Sequence, residues 1–244
     1  MRIPRICVFE ALTSGAEIVL PTQAGEHLAR VLRLDRGHPV ILFNGNGRDY
    51  RAEISQLAKR AVSARVLDDG QKVCRESPLR LTLAQGVARG EKMDFILQKA
   101  TELGVVRIVP LITGRTEVKL DAERTARRLA HWNAVIAGAC EQSGRSSLPI
   151  LEEPLRLAQW ASTLDDACGL RLALDPTGDI TPRGLPAFTT ATLVVGPEGG
   201  LSEQDLNLLD QADFLGLRLG PRILRTETAG LAAITALQAI HGDI

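Results

Sequence analysis

Three short stretches combine residue types that could do chemistry. The first is Val194-Val195-Gly196-Pro197-Glu198-Gly199-Gly200. An apolar, β-branched run passes straight into a glycine-rich turn. Glycine lets a ligand approach the backbone closely, and open α/β sheets bind ligands beyond the carboxyl ends of their strands. No Gly-Lys-Ser/Thr follows, so a phosphate-cradling P-loop is excluded, and without G-x-G-x-x-G a dinucleotide site is unsupported. On these residues alone, a tight structural turn and a ligand loop both stay open. The second stretch, Leu219-Gly220-Pro221-Arg222-Ile223-Leu224-Arg225-Thr226-Glu227-Thr228-Ala229, repeats the plan of strand, Gly-Pro loop and helix start. Thr226 reads as the helix N-cap and Glu227 as a first-turn carboxylate that suits the helix dipole. Arg225 fits less well, because a cation just ahead of a helix N-terminus is electrostatically unfavourable. A residue set against its local preference invites a functional reading. The third stretch is Cys140-Glu141-Gln142-Ser143-Gly144-Arg145, where Arg145 could cap helix carbonyls or meet an RNA phosphate.

Metal and disulfide chemistry are not indicated. Cys7, Cys74, Cys140 and Cys168 are scattered and form no C-x-x-C pair, and His27, His38, His131 and His241 show no ligand spacing. Small buried thiols in a reducing cytosol are the expectation. The opening Met1-Arg2-Ile3-Pro4-Arg5 leads into no apolar run of signal length, and nothing approaches the roughly 20 apolar residues of a membrane span.

The elements that must position these stretches fall into two regions. Residues 1–72 carry short strand signals at 18–20, 40–43, 50–54 and 61–67, with Asn44-Gly45-Asn46-Gly47 as a hairpin signal between two of them. Gly25 to Leu34 reads as a short helix bearing Arg30 and Arg33. A compact β-barrel with one helix is expected there. After the polar break at 68–72, residues 73–244 alternate strands and helices. Strands are expected at 79–85, 105–112, 170–174, 191–195 and 214–219, and helices at 91–103, 121–143, 155–164 and 227–241. Ser202 reads as an N-cap with Asp205 three residues on, close to a capping box. The last helix is apolar around much of its circumference, which suits burial in the core or in a dimer interface. This alternation implies a mainly parallel sheet covered on both faces.

The chain has 244 residues and no net charge, which by itself does not suggest a nucleic-acid binder. The distribution is more informative. Residues 1–80 hold 13 basic and 9 acidic side chains, a surplus of 4, so the front region is the better candidate to meet phosphates.

GPEGG after a strand, LGPRILRTETA about twenty residues on, Arg89-Gly90-Glu91-Lys92-Met93, Glu102-Leu103-Gly104 and CEQSGR occur in one order along the chain. Together with Met1 to Arg5 and Arg30 to Leu34, these motifs resemble the ribosomal RNA small subunit methyltransferase E family of the SPOUT superfamily. The resemblance covers essentially the whole chain. It implies a PUA-like β-barrel for RNA at 1–72, then a SPOUT methyltransferase domain at 73–244 whose α/β sheet carries a deep trefoil knot. It further implies a cytoplasmic homodimer, without metal, acting on 16S ribosomal RNA in the small subunit. The implied reaction is S-adenosylmethionine-dependent methylation of N3 of one uridine in the decoding region.

Carried onto this sequence, the cofactor pocket comprises Leu174, the loop of Gly196, Pro197, Glu198, Gly199 and Gly200, and Leu219, Gly220, Ile223 and Leu224. The turn Asp175-Pro176-Thr177-Gly178 after Leu174 departs from the family pattern. Arg225 is expected to stabilise negative charge on the acceptor, with Arg145 as the second candidate. Glu227 is expected to act as general base, to orient Arg225, or simply to serve the helix dipole. Arg2, Arg5, Arg30, Arg33 and Arg48 are the expected phosphate contacts. Two alternatives stand beside this reading. One is a SPOUT enzyme acting on transfer RNA or on a ribose 2′-hydroxyl. The other is a non-catalytic ribosome-assembly factor, which cofactor binding would tell apart.

Overall fold

The structure, a computed structural model, describes residues 3–58, 61–118 and 121–244. Arg2 lies outside them. The described residues group into two compact units, Met1–Glu76 with Ala137–Leu148, and Ser77–Ile136 with Pro149–Ile244. This division moves the boundary from residue 72 to residue 76 and adds one insertion, Ala137–Leu148. The end of the long helix and the CEQSGR stretch group with the first unit.

The first unit is built on strands β1 (Arg5–Cys7), β2 (Glu17–Val19), β3 (Pro39–Phe43), β4 (Arg48–Leu57), β5 (Val62–Val66) and β6 (Gln71–Lys72). The sheet order is β1-β3-β4-β5-β2, with β6 on β4. Every pairing is antiparallel except β1 with β3. Alternating side chains from all five main strands (Ile6, Ile18, Leu42, Ile54 and Ala64 among them) meet in one buried cluster, so the sheet curls around its own core. Asn44 to Gly47 makes the β3–β4 turn, with Gly45 and Gly47 at positive φ.

The helix expected over 25–34 is different. Helix α1 covers only Thr22–Glu26 and runs into a π-helical turn, His27–Val31. There the Leu32 amide reaches back to the His27 carbonyl and the Leu34 amide to that of Leu28. This widened turn buries Leu28 and leaves Arg30 outside. Strand β1 carried no alternation long enough to be seen in the sequence.

The second unit holds strands β7 (Arg80–Gly86), β8 (Arg107–Ile112), β9 (Ile150–Leu151), β10 (Leu155–Arg156), β11 (Leu170–Leu174), β12 (Thr190–Val195) and β13 (Leu215–Leu217). They form a parallel sheet in the order β10-β8-β7-β12-β11-β13, with β9 also on β8. The central strands read as continuous apolar runs because both faces are covered. Helices α4 (Leu157–Ala161) and α5 (Glu203–Gln211) pack together; Leu157, Trp160 and Leu209 join Val109, Ala173 and Val194 in one core. Helix α2 (Glu91–Glu102) packs on α6 (Thr226–His241), and α6 also meets β12. Helix α3 (Ala122–Ser143) is the long one, with His131 hydrogen-bonded to Asp94 of α2 at 2.8 Å. Of the helix expected over 155–164, the first two residues pair with β8 instead.

From β12 the chain runs through α5 to β13 at the far edge, then returns to α6 beside β12. On the way, β13 is flanked by the segment after β11: the Asp175 amide bonds the Leu217 carbonyl, and the Arg218 amide that of Ile180. A knot of the expected kind needs such a crossing. Among the described residues no helix is long and apolar enough to cross a membrane, and no group of three or more His, Cys, Asp or Glu could hold a metal ion.

Candidate active site

Three loops converge at the carboxyl edge of the second sheet. They follow β11, β12 and β13, and they enclose a cavity of about 690 Å³. Leu174, Val195, Leu217, Leu219 and Leu224 give it apolar walls, and the glycine loop 196–200 offers peptide groups. All ten residues expected to hold the cofactor line this space, Leu174 and Ile223 included, and so do Arg225 and Glu227.

The local structure explains why these loops sit where they do. Gly86 ends β7 directly beneath Pro197; a Cβ there would lie 2.5 Å from the proline ring, so no larger residue lets the loop close. Beyond the loop, Ser202 caps α5 in a full capping box, accepting from the Asp205 amide at 3.1 Å. Asp205 also accepts from the Gly114 amide at 3.1 Å, which fastens the β8 loop to the same corner. Thr226 is not the N-cap of α6, contrary to the sequence expectation. Arg225 holds the N-cap position, in an extended conformation and with no side-chain cap bond. The Thr226 hydroxyl is spent elsewhere. It donates to the Gly196 carbonyl at 2.6 Å and accepts from Gln85 Nε2 at 3.0 Å. Gln85 is fully buried and also donates to the Gly86 carbonyl at 3.0 Å. One buried amide and one hydroxyl thus tie the ends of β7 and β12 to the start of α6.

Charge is arranged around this frame. Glu198 accepts from the Arg89 amide at 3.0 Å and lies 3.5 Å from the Lys92 ammonium. Burial pushes its carboxyl up, but the amide bonds and Lys92 outweigh that and hold it below the usual carboxylate range. Arg115 donates to the Gly199 carbonyl at 2.8 Å. Lys92 also stands 3.9 Å from Glu227, whose Oε2 is buried and has no hydrogen-bond partner among the described residues. Arg222 and Arg225 line the cavity with exposed side chains that make no hydrogen bond or ion pair among the described residues.

Arg145 does not line the cavity. Its side chain is 5% exposed and holds Glu76 with Nε and Nη2, at 3.1 and 2.5 Å, inside the first unit. A guanidinium committed to a half-buried carboxylate is a structural tie, and it lies apart from the cavity where the charge-stabilising role was expected. The Gly144 carbonyl, just past α3, receives Arg75.

Arg5 needs a similar correction as a phosphate contact. It is 8% exposed, pairs with Asp49 at 2.5 Å, donates to the Arg145 carbonyl and Ser146 hydroxyl, and lies over the Phe43 ring. Arg30, Arg33 and Arg48 remain exposed on the first unit. Arg30 is held only by Glu26 one turn away, and Arg33 takes an unusual φ of 50°. Sequence reasoning passed over Gln85, Lys92 and Arg115. Gln85 did carry a signal, as the polar residue in an apolar strand.

Residues 75–238 match the RNA methyltransferase domain family, and residues 20–67 match the RNA methyltransferase PUA domain. The ribosomal RNA small subunit methyltransferase E of Buchnera aphidicola from Schizaphis graminum is 32% identical over all of this chain and 98% of its own. That of Bacillus subtilis is 32% identical over 89% of each. The chain belongs to the ribosomal RNA small subunit methyltransferase E family. Among solved structures, a methyltransferase of Legionella pneumophila in complex with its cofactor S-adenosylmethionine matches at 40% identity and a TM-score of 0.94, covering both chains fully. The family member from Neisseria gonorrhoeae, bound to S-adenosylmethionine, matches at 35% and 0.89, again over both full chains. The cavity of this methyltransferase lies in the matched domain.

Proposed function

We propose that this methyltransferase uses S-adenosylmethionine to methylate N3 of one uridine in the decoding region of 16S ribosomal RNA, acting in the cytoplasm as a homodimer. The observation that carries the reading is the pairing, in one cavity, of apolar and glycine-rich walls with an unpartnered Arg225 at a helix N-terminus. S-adenosylmethionine fits these residues. The leucines and Val195 suit an adenine face, the loop peptides its polar edge. Glu227 Oε2, buried and without a hydrogen bond beyond its distant ion pair with Lys92, suits a further cationic neighbour or a proton. When bound, the cofactor supplies a methyl group already activated on a sulfonium.

The remaining work falls to the chain. Uridine N3 carries a proton at neutral pH and must lose it before or during attack. Negative charge then spreads over N3 and two carbonyl oxygens. Arg225, uncompensated at the N-cap of α6, stabilises that charge. Glu227 lies two residues further on, in the first turn of α6, and takes the N3 proton or orients Arg225. The loops hold the acceptor in line with the transferable methyl, where orientation supplies much of the acceleration. The first unit positions RNA through Arg30, Arg33 and Arg48. Self-association suits α6, which keeps Leu231, Ala232 and Ala236 only half-buried and Ile240 exposed after its core face is satisfied.

Small ribosomal subunits from a strain lacking the protein test this, incubated with enzyme and cofactor and digested for mass spectrometry. New 3-methyluridine at one decoding-region site is expected, reduced about 100-fold or more by Arg225→Ala while cofactor affinity holds. Methylation at a ribose or on another RNA, or an active Arg225→Ala enzyme, overturns the respective part.

A further inference from the structure

A second, shallower groove of about 480 Å³ adjoins the cofactor cavity, lined by Glu91, Lys92, Asp94, Phe95, Gln98, Val135 and Glu227. It shares Lys92 and Glu227 with the larger cavity. We infer that this groove seats the acceptor base, with the Phe95 ring as its stacking platform and Gln98 at its polar edge. The inference rests on the methyltransferase reading above and gives it a substrate subsite.

Helix α2 directs Met93, Ile96, Leu97 and Ala100 into the core. Phe95 lies off that stripe, in line with Glu91 and Gln98 at i, i+4 and i+7, on a face that is otherwise polar. It is 46% exposed, and among the described residues of the second unit no other aromatic side chain is classed as exposed. A ring left in water on a polar helix face breaks the pattern that packing alone would produce. Base-on-aromatic stacking is a common way to hold a nucleotide removed from its own stack.

The charges select which part of a nucleotide enters. Glu91 and Glu227 face the groove, and Asp94 with them although it is engaged by His131. Three carboxylates against one ammonium repel phosphate. They accept a neutral ring whose N–H groups donate. The carboxamide of Gln98, an exposed donor and acceptor, matches the alternating carbonyl and N–H edge of a pyrimidine. Glu227 reaches both spaces, so a base stacked on Phe95 brings its N–H toward the carboxylate that borders the cofactor.

The test compares Phe95→Ala, Phe95→Leu and Phe95→Tyr in the full-length protein. The readouts are methyl transfer to small ribosomal subunits, cofactor affinity by calorimetry, and oligomeric state by sedimentation. Loss of one stacked base lowers kcat/KM for RNA by about 10- to 100-fold. The Ala and Leu variants are expected to show this loss with cofactor affinity and sedimentation unchanged, and Tyr to restore activity. Leu tests the ring rather than its bulk. A Leu variant as active as wild type overturns the proposal, and so does a change in sedimentation, which would mean that a second copy covers Phe95. Small-subunit RNA transcribed with 4-thiouridine supplies a readout independent of catalysis: photocrosslinking to the peptide carrying residue 95. Crosslinking without methyl transfer would leave the groove standing and sink the assigned reaction. Transfer without crosslinking, and without an effect of Phe95→Ala, would do the reverse.

Discussion

Thr226→Val keeps the shape of a buried side chain and deletes both of its hydrogen bonds. Thr226 is 7% exposed, so water does not replace what is lost. The Gly196 carbonyl loses a donor at 2.6 Å and keeps only Gln85 Nε2 at 3.3 Å. Gln85 loses an acceptor at 3.0 Å but keeps the Gly86 carbonyl at 3.0 Å. A buried polar group stripped of its partner costs about 1–3 kcal/mol. Each group here retains a poorer alternative, which places the expected loss at about 1–2 kcal/mol. The same two bonds join the glycine loop to the first turn of α6, so part of the loss reaches the ligand site. Urea unfolding followed by circular dichroism should show a lower midpoint at unchanged slope. Calorimetric titration with S-adenosylmethionine should show affinity weakened by up to about 10-fold. Thr226→Ser, which keeps the hydroxyl, should recover most of both. The reasoning is refuted by a Val variant that matches wild type in midpoint and affinity, or by a Ser variant as impaired as Val.

Other consequences follow from the same geometry. Burial pushes the Cys7 and Cys140 thiols up to about 12. A raised thiol pKa favours the protonated folded state. That contribution is complete below the ordinary thiol pKa of about 9 and is lost as pH climbs toward 12. A thiol reagent at pH 8 should therefore label exposed Cys74 quickly and reach Cys7 and Cys140 only after denaturation, as peptide mapping would show. Glu198 is shifted the other way, so its contribution to the loop is present above the ordinary carboxylate range and is lost only as pH falls below it. Cofactor affinity of wild type should accordingly stay flat in this group from pH 8 to pH 5, whereas a fall centred near pH 6 would contradict the assignment. Arg33→Ala should lower the salt dependence of RNA binding by about one unit of slope at unchanged thermal stability. Arg5→Ala should do the opposite, costing about 1–3 kcal/mol of stability because the half-buried Asp49 loses its near cation and keeps only Arg75 at 4.0 Å and the Ser146 hydroxyl.

What the sequence disclosed was governed by local rules. Two of the three loops of the cavity, after Val195 and after Leu217, were legible because each follows a strand and carries glycine and proline, whereas the one after Leu174 entered only through the family resemblance; the capping box of α5 was legible because Ser202 and Asp205 sit at the right spacing. Gly104 and Gly144 mark helix ends by the same logic, both at φ 85°. What failed depended on partners distant in sequence. Arg5 looks like a free basic residue until Asp49 and Ser146, from segments 44 and 141 residues away, close around it. Arg145 finds Glu76, which is 69 residues earlier. Thr226 has the residue type of an N-cap, yet its hydroxyl is claimed by Gly196 and Gln85, and no pattern within α6 could reveal that. The π-helical turn at 27–31 escaped because its apolar spacing differs from an α-helix by one residue in five, too little to register over so short a stretch.

The charges of the cavity admit a tighter reading than their sum. Four cations (Lys92, Arg115, Arg222, Arg225) face three carboxylates (Asp175, Glu198, Glu227). Asp175 is turned inward on its own loop, accepting from the Thr177 amide and hydroxyl. Glu198 is taken by the Arg89 amide and Lys92, and Arg115 by a carbonyl. Subtracting these local ties leaves Arg222 and Arg225 on one side and, on the other, Glu227, whose Oε2 has no hydrogen bond and only Lys92 at 3.9 Å. Methyl transfer from a sulfonium to a deprotonated nitrogen asks for both signs at once. A positive centre must be tolerated while an anion is stabilised, and the two charges annihilate as the bond forms. A cavity neutralised throughout would do neither. Keeping Arg225 at the positive end of α6 costs folding energy that any uncharged residue would recover. Its position is explained if the anion it faces arrives with the substrate.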